Sequence, residues 1–212
     1  MPSLSAAALT DLAERALQQG GAGAAMAKTT ARALVAADMQ GLATHGVSRV
    51  PGFQAKLDTP FGLVGVRTEG ATVAEIVYFP PSAGTLAPAN ALAERVCRQI
   101  EKYVRDPDYR FKLPLKEIGT AFQRRVWEQI AAIPRGETRT YGDLARALRS
   151  APRAVGQACG SNYFPLVIPC HRVVAATGLG GFAHTSGGYL LEVKRWLLRH
   201  ESHLEPRAPQ AL

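Results

Sequence analysis

The chain has 212 residues, 47% of them apolar, which is enough for a packed core and too many for a chain that stays unfolded. Lys and Arg number 25 against 17 Asp and Glu, a formal net charge of +8 that favours an acidic partner such as nucleic acid. Three cysteines (Cys97, Cys159, Cys170) without a CxxC pair, and five histidines at no zinc spacing, exclude a disulfide framework and argue against a structural metal.

In chain order, "SLSAAALTDLAERALQQ" (3–19) predicts an amphipathic helix with a serine N-cap and Gly20-Gly21 as its stop. Residues 24–42 predict a second helix. Asp11, Glu14, Arg15 and Lys28 make this leader unlike a secretory signal. No apolar run approaches the roughly 18 residues of a membrane span. The expected location is the cytoplasm, without membrane attachment.

From Phe53 the pattern turns to strands. One lies around Phe53 to Asp58. "GLVGVRT" and "TVAEIVYF" then predict a hairpin about Glu69-Gly70. Residues 88–104 predict a helix, and "RDPDYRFKLP" a connector. "TAFQRRVWEQIAAIP" predicts a helix capped by Thr120 and ended by Pro134, with Phe122, Val126, Trp127 and Ile130 on one face. Trp127 and Trp196 read as core, and Cys97 and Cys159 as small buried residues. His184, His200 and His203 read as solvated or cap-associated.

A short helix starts near Tyr141, "RSAP" makes a turn, and "APRAVGQACGSN" predicts a second short helix with Pro152 in its first turn. This is the outline of a helix-turn-helix. The second helix carries Ala154, Gly156, Ala158 and Gly160, so few side chains could read base edges. Small residues suit either close approach to the minor groove or helix packing. The surrounding arginines, at 135, 139, 146, 149, 153 and 172, suit phosphate contacts.

In "VIPCHRVV", Cys170 stands beside His171. A reactive cysteine needs a group that takes its proton, and a histidine base needs an orienter. Glu201, in "KRWLLRHE", is the candidate orienter. Neighbours on an extended strand point to opposite faces, so direct pairing of Cys170 with His171 does not follow. Residue types alone leave Cys170 open between a buried hydrophobe, a metal ligand and a nucleophile.

"IPCHRVV", with "TAFQRRVWEQIAAIPRGETRTYGDLA", "RAVGQACGSN", "KRWLLRHE", "DTPFG" and Phe111 to Leu115, closely resembles the O6-alkylguanine-DNA alkyltransferases over about Phe53 to Glu201. The resemblance implies an α+β fold. Its parts are a ribonuclease-H-like α/β N-terminal part and a helical C-terminal part with a helix-turn-helix. It implies single-turnover repair by a monomer: an alkyl group moves from guanine O6, with thymine O4 as a second candidate, in double-stranded DNA to the protein's own cysteine. No cofactor is implied.

By the same resemblance, Cys170 is the alkyl acceptor. His171 is its base through a water, Glu201 the partner of His171, and Asn162 the hinge pin before the cysteine. Arg153 is the finger that fills the vacated stack, and Tyr141 turns the phosphate and donates to the flipped guanine. Ala154 and Gly156 lie against the groove, and the Val173 carbonyl receives the guanine amine. Phe182 lines the alkyl pocket and Ser186 contacts the base edge.

Three features depart from that pattern: Tyr163-Phe164 after Asn162, the long "GLGGFAHTSGGYLLE" segment, and the leader. In the leader, "ARALVAADMQGLATHGVSRVPGF" resembles the start of the malate/lactate/sulfolactate dehydrogenases, with His45 at the position of their active-site histidine. The rest of such an enzyme is absent, so a fused helical remnant is expected. The expected divisions are a helical leader (1–56), an α/β part (57–113), an active-site and DNA-binding part (114–204) and a tail (205–212). A non-catalytic DNA-binding relative would lack Cys170. A Cys-His-Glu hydrolase would leave the arginines unexplained.

Overall fold

The computed structural model describes residues 6–19, 23–39, 52–80, 83–185 and 187–202. Two helices, α1 (Ala6–Gln19) and α2 (Ala24–Met39), pack against each other with Ala13, Ala27 and Ala31 fully buried. The serine cap of α1, its Gly20-Gly21 stop, His45 and most of the dehydrogenase-like stretch lie outside the described residues.

An antiparallel sheet follows in the order β1 (Ala55–Thr59), β2 (Gly62–Glu69), β3 (Thr72–Phe79). The expected β2–β3 hairpin turns at Gly70, whose φ of +56° suits glycine. Alternation places Val64, Val66 and Ile76 inside, against Ala93, Val96 and Ile100 of α3 (Ala91–Arg105). That helix begins three residues later than the sequence suggests, because Asn90 takes the cap. Its side chain accepts from Ala93 N at 2.8 Å.

The rest is mainly helical. Thr120 and Gln123 form a capping box at the start of α4 (Ala121–Ala131). Trp127 is buried and donates its indole N–H to Ala158 O at 2.8 Å. A side chain on Gly119 would collide with that indole, at 2.6 Å from Cη2, so glycine is required there. Helix α5 (Tyr141–Leu148) ends in a left-handed Arg149, and α6 (Pro152–Gly160) follows with Pro152 at its first position and packs on α5 and α4. Helix α7 (Tyr189–Glu201) closes the chain. The hydrophobic cluster runs unbroken from the sheet through α3–α6 to α7, in a mixed α/β architecture.

Two short links place the site. Arg139–Thr140 (β4) pairs in parallel with Val173–Val174 (β5), which sets the start of α5 beside the Cys170 segment. Ile76 N donates to Tyr163 O at 2.8 Å, tying the sheet to the loop after α6. Two-residue strands carry no readable period, so the sequence gives no sign of β4 or β5. Among the described residues, no helix is long and apolar enough to cross a membrane.

Candidate active site

Cys170 does not lie on an extended strand. It opens a single 3-10 turn, Cys170–Arg172, set by Pro169 and by Arg172 N donating to Pro169 O at 2.9 Å. Successive side chains on such a turn diverge by about 120°, since it has 3.0 residues per turn. Cys170 therefore lines a cavity while His171 enters the core.

Cys170 is 7% exposed, His171 1% and Glu201 2%. Nε2 of His171 lies 2.9 Å from Glu201 Oε1, at ion-pair distance but off the alignment of a good hydrogen bond. The Nδ1 atom of His171 has no protein partner among the described residues. Glu201 also accepts from Tyr103 OH at 2.8 Å and from both sides of the Arg172 guanidinium, Nε at 2.7 Å and Nη2 at 2.8 Å. Arg172 is fixed in turn by Ile133 O at 2.6 Å, and Arg135 holds Glu201 O at 3.0 Å.

The titrations follow from these contacts. Burial alone would raise the Glu201 carboxyl. Contacts from His171 and Arg172 override it and hold the group well below the usual carboxylate range. Burial lowers the His171 imidazole, and the charges of Arg172 and Lys194 add to this; Glu201 opposes it only in part. The ring is neutral and can accept a proton. Burial also pushes the Cys170 thiol up, countered in part by the Asn162 amide and the Lys194 charge. At rest it is a thiol that needs a base.

Lys194 has no exposed surface, yet its ammonium is satisfied by three backbone carbonyls: Val173 and Leu179 at 2.7 Å each and Gly181 at 2.9 Å. Desolvation pulls its pKa down to about 8. One cation thus ties the Cys170 segment to the following loop. The Val173 carbonyl keeps a second lone pair.

The cavity, about 340 Å³, is lined by Cys170 and Cys159 together with Tyr141, Phe182, Gly156 and His184, among others. Tyr141 OH donates to Gly181 O at 3.0 Å, and burial raises its pKa, so it stays a donor. Phe182 is buried against Tyr78. Asn162 spans the loop: Nδ2 donates to Ile168 O at 2.8 Å and Oδ1 accepts from Phe164 N at 2.9 Å. Both bonds form with Tyr163-Phe164 in the loop.

Of the residues singled out from sequence, Cys170, Tyr141, Gly156 and Phe182 share the cavity, with His171, Glu201 and Asn162 behind it. Arg153 is exposed and Ala154 half-buried on α6, away from the cavity lining. Ser186 lies outside the described residues. His200 is cap-associated: its Nε2 lies 2.8 Å from Tyr103 O, in the last turn of α3, and its ring stacks on Trp196. One expectation changes. Trp196 is only partly buried.

Sequence reasoning passed over Tyr103 and Lys194. It read Arg135 and Arg172 as suited to phosphate, but both are mostly buried and bound within the protein, Arg172 to Glu201 and Ile133 O and Arg135 to Asp108 and Glu201 O. It read His184 as solvated or cap-associated and did not place it at the cavity. Lys194 had a signal: with Val193, Leu197 and Glu201 it falls on one face of α7, a lysine inside an apolar stripe. Tyr103 had none, since its partner is 98 residues away.

The DNA-binding-domain model of 6-O-methylguanine DNA methyltransferase matches residues 121–203. A probable methylated-DNA–protein-cysteine methyltransferase of Acanthamoeba polyphaga mimivirus is 50% identical over 96 residues, 44% of this chain, and the match spans 61% of that relative's length. The methylated-DNA–protein-cysteine methyltransferase of Mycobacterium leprae is 36% identical over 155 residues, 69% of this chain and 90% of the relative. Among solved structures, that of Mycobacterium tuberculosis OGT in complex with DNA aligns with a TM-score of 0.58 at 33% identity, over 69% of this chain and 90% of that one. With nine tenths of such a relative spanned at 36% identity by a chain that buries Cys170, His171 and Glu201, the protein belongs to the methylated-DNA–protein-cysteine methyltransferase family.

Proposed function

We propose that the protein repairs double-stranded DNA by moving an alkyl group from guanine O6 to Cys170, once per chain. The observation that carries this reading is the division at Cys170: the thiol lines a cavity while the adjacent imidazole is held on a buried carboxylate. A base inside the duplex cannot reach such a cavity, so it must be flipped out, at a cost of a few kcal/mol.

His171 Nδ1 takes the thiol proton through a water, and Glu201 stabilises the imidazolium that forms. The thiolate attacks the alkyl carbon. The S–C bond forms, the C–O6 bond breaks, and its electron pair stays on the guanine. Tyr141, released from Gly181 O, donates a hydrogen bond to the leaving base. The Val173 carbonyl uses its second lone pair for the guanine amine, and Ser186 contacts the base edge.

The product is a thioether, a very poor leaving group. Cys159 lines the same cavity, but burial pushes its pKa far up and keeps it protonated, so it does not regenerate Cys170. One turnover follows. The same pocket chemistry extends to O4-alkylthymine.

Helices α5 and α6 act as a helix-turn-helix laid in the minor groove, where Ala154 and Gly156 allow close approach without a base code. Arg153 enters the stack where the guanine was. The sheet and α3 correspond to the ribonuclease-H-like part (57–113), and 114–204 to the catalytic part. The protein acts as a cytoplasmic monomer, and the leader (1–56), apart from Ala55 and Lys56 which open β1, is a fused helical remnant. A Cys170→Ala variant should bind duplex DNA as the unaltered protein does and transfer nothing. Transfer by that variant, counted as labelled methyl retained on protein, would remove Cys170 as acceptor.

A further inference from the structure

The wall of the cavity holds a device that the transfer mechanism above does not use. Phe182 and Thr185 exchange two backbone hydrogen bonds, each 2.9 Å, around a two-residue turn. Both central residues have positive φ, Ala183 +47° and His184 +61°. Hairpin turns of this kind are usually filled by Asn-Gly, because side chains crowd the backbone there. Here the strained position carries an imidazole.

That imidazole is laid on the end of α6. A Cβ built on Gly160 would lie 2.5 Å from His184 Nδ1 and 2.6 Å from Nε2. Only glycine lets the ring come this close. The ring thus bridges the helix and the active-site loop. His184 lines the same cavity as Cys170, but it is exposed where Cys170 is buried. Partial desolvation beside Gly160 keeps it below its ordinary pKa, so the wall is a neutral ring near pH 7. Phe182, Cys159 and Cys170 are held in the core, whereas His184 sits on a surface turn.

Displacement at the alkyl carbon needs sulfur, carbon and O6 in line. Any substituent atoms beyond that carbon must therefore project sideways, into the cavity wall. We propose that His184 is a specificity-determining residue: its ring, lying against Gly160 at the cavity wall, limits the size of the O6 substituent that Cys170 can accept. The proposal rests on the alkyl-transfer reading of the cavity. It assigns the selectivity to the long segment after Cys170 rather than to the catalytic set.

The test compares single-turnover transfer from duplexes bearing O6-methylguanine and O6-benzylguanine. His184→Gly and His184→Asn remove or shorten the ring while placing at the turn residues that accept positive φ. One methylene of pocket space already discriminates ~10–200-fold, so His184→Gly should raise the benzyl-to-methyl rate ratio at least about tenfold, and His184→Asn should raise it by less. A ratio unchanged in both variants, including equal slowing on both duplexes, overturns the assignment and leaves His184 a structural residue. Failure of the unaltered protein to transfer either group would overturn this assignment together with the alkyl-transfer reading.

Discussion

Glu201 serves four donors or partners with two oxygens: His171, Tyr103 and two nitrogens of Arg172. Removing its charge alone leaves a largely buried guanidinium without a counter-ion. Glu201→Gln should cost about 3–5 kcal/mol of stability, as broken buried pairs do, read from denaturant midpoints. Loss of the base's partner should also slow transfer by roughly 10²–10⁴-fold; full activity in a folded variant would remove His171-Glu201 from the proton path. Acid stability follows from the same pair. Both His171 and Glu201 have folded-state pKa values below their unfolded ones. The unfolded chain therefore binds more protons in each window, and stability rises with pH there. Unfolding free energy should fall as pH drops below about 6.5, the unfolded histidine value, and fall again through the carboxylate range; a flat profile over both would contradict the buried pair. Cys170, His171 and Glu201 were legible through the family resemblance carried by the long motifs around them; residue types alone left Cys170 open, since cysteine is common in cores. Lys194 and Tyr103 were not. Lysine and tyrosine are common, and what marks these two is the burial of one and a partner 98 residues from the other.

At the scale of elements, α6 carries two duties that pull in different directions. Its inner face packs Val155, Ala158 and Cys159 into the core, and its outer side leaves Arg153 exposed. The exposed arginine is proposed to fill the stack left by the flipped guanine. Arg153→Ala should then slow transfer from saturating duplex on the order of 10- to 1000-fold, the rate equivalent of a few kcal/mol, while transfer from free O6-benzylguanine stays near that of the unaltered protein. Equal slowing on both substrates would mean that Arg153 supports the pocket; a defect that vanishes at saturating duplex would make it one phosphate contact among several. Helices with caps and strands with alternation were readable one by one: Thr120, Pro152 and the Gly70 turn each announce a boundary by local chemistry. The start of α3 was misplaced because Asn90 is a cap only by its side-chain bond to Ala93. The β4–β5 pairing and the 3-10 turn at Cys170 come from tertiary contacts, and no period of two or 3.6 fits two or three residues.

For the whole molecule, one hydrophobic cluster joins the sheet, α3 and the helical half, and Cys170, Cys159 and Phe182 of the cavity belong to it. Positive charge gathers on the segments after α4, consistent with a phosphate-bearing partner. The leader packs α1 on α2, and none of its described residues lines the cavity. The account makes the protein both catalyst and final acceptor. The most direct test is to mix the protein with excess duplex bearing O6-methylguanine, digest it, and map the modification by peptide mass spectrometry. The account predicts one methyl group on the peptide holding Cys170, rising to one per chain and then stopping. Methylation on Cys159 or elsewhere with Cys170 unmodified, or continued release of repaired DNA beyond one equivalent, would contradict it.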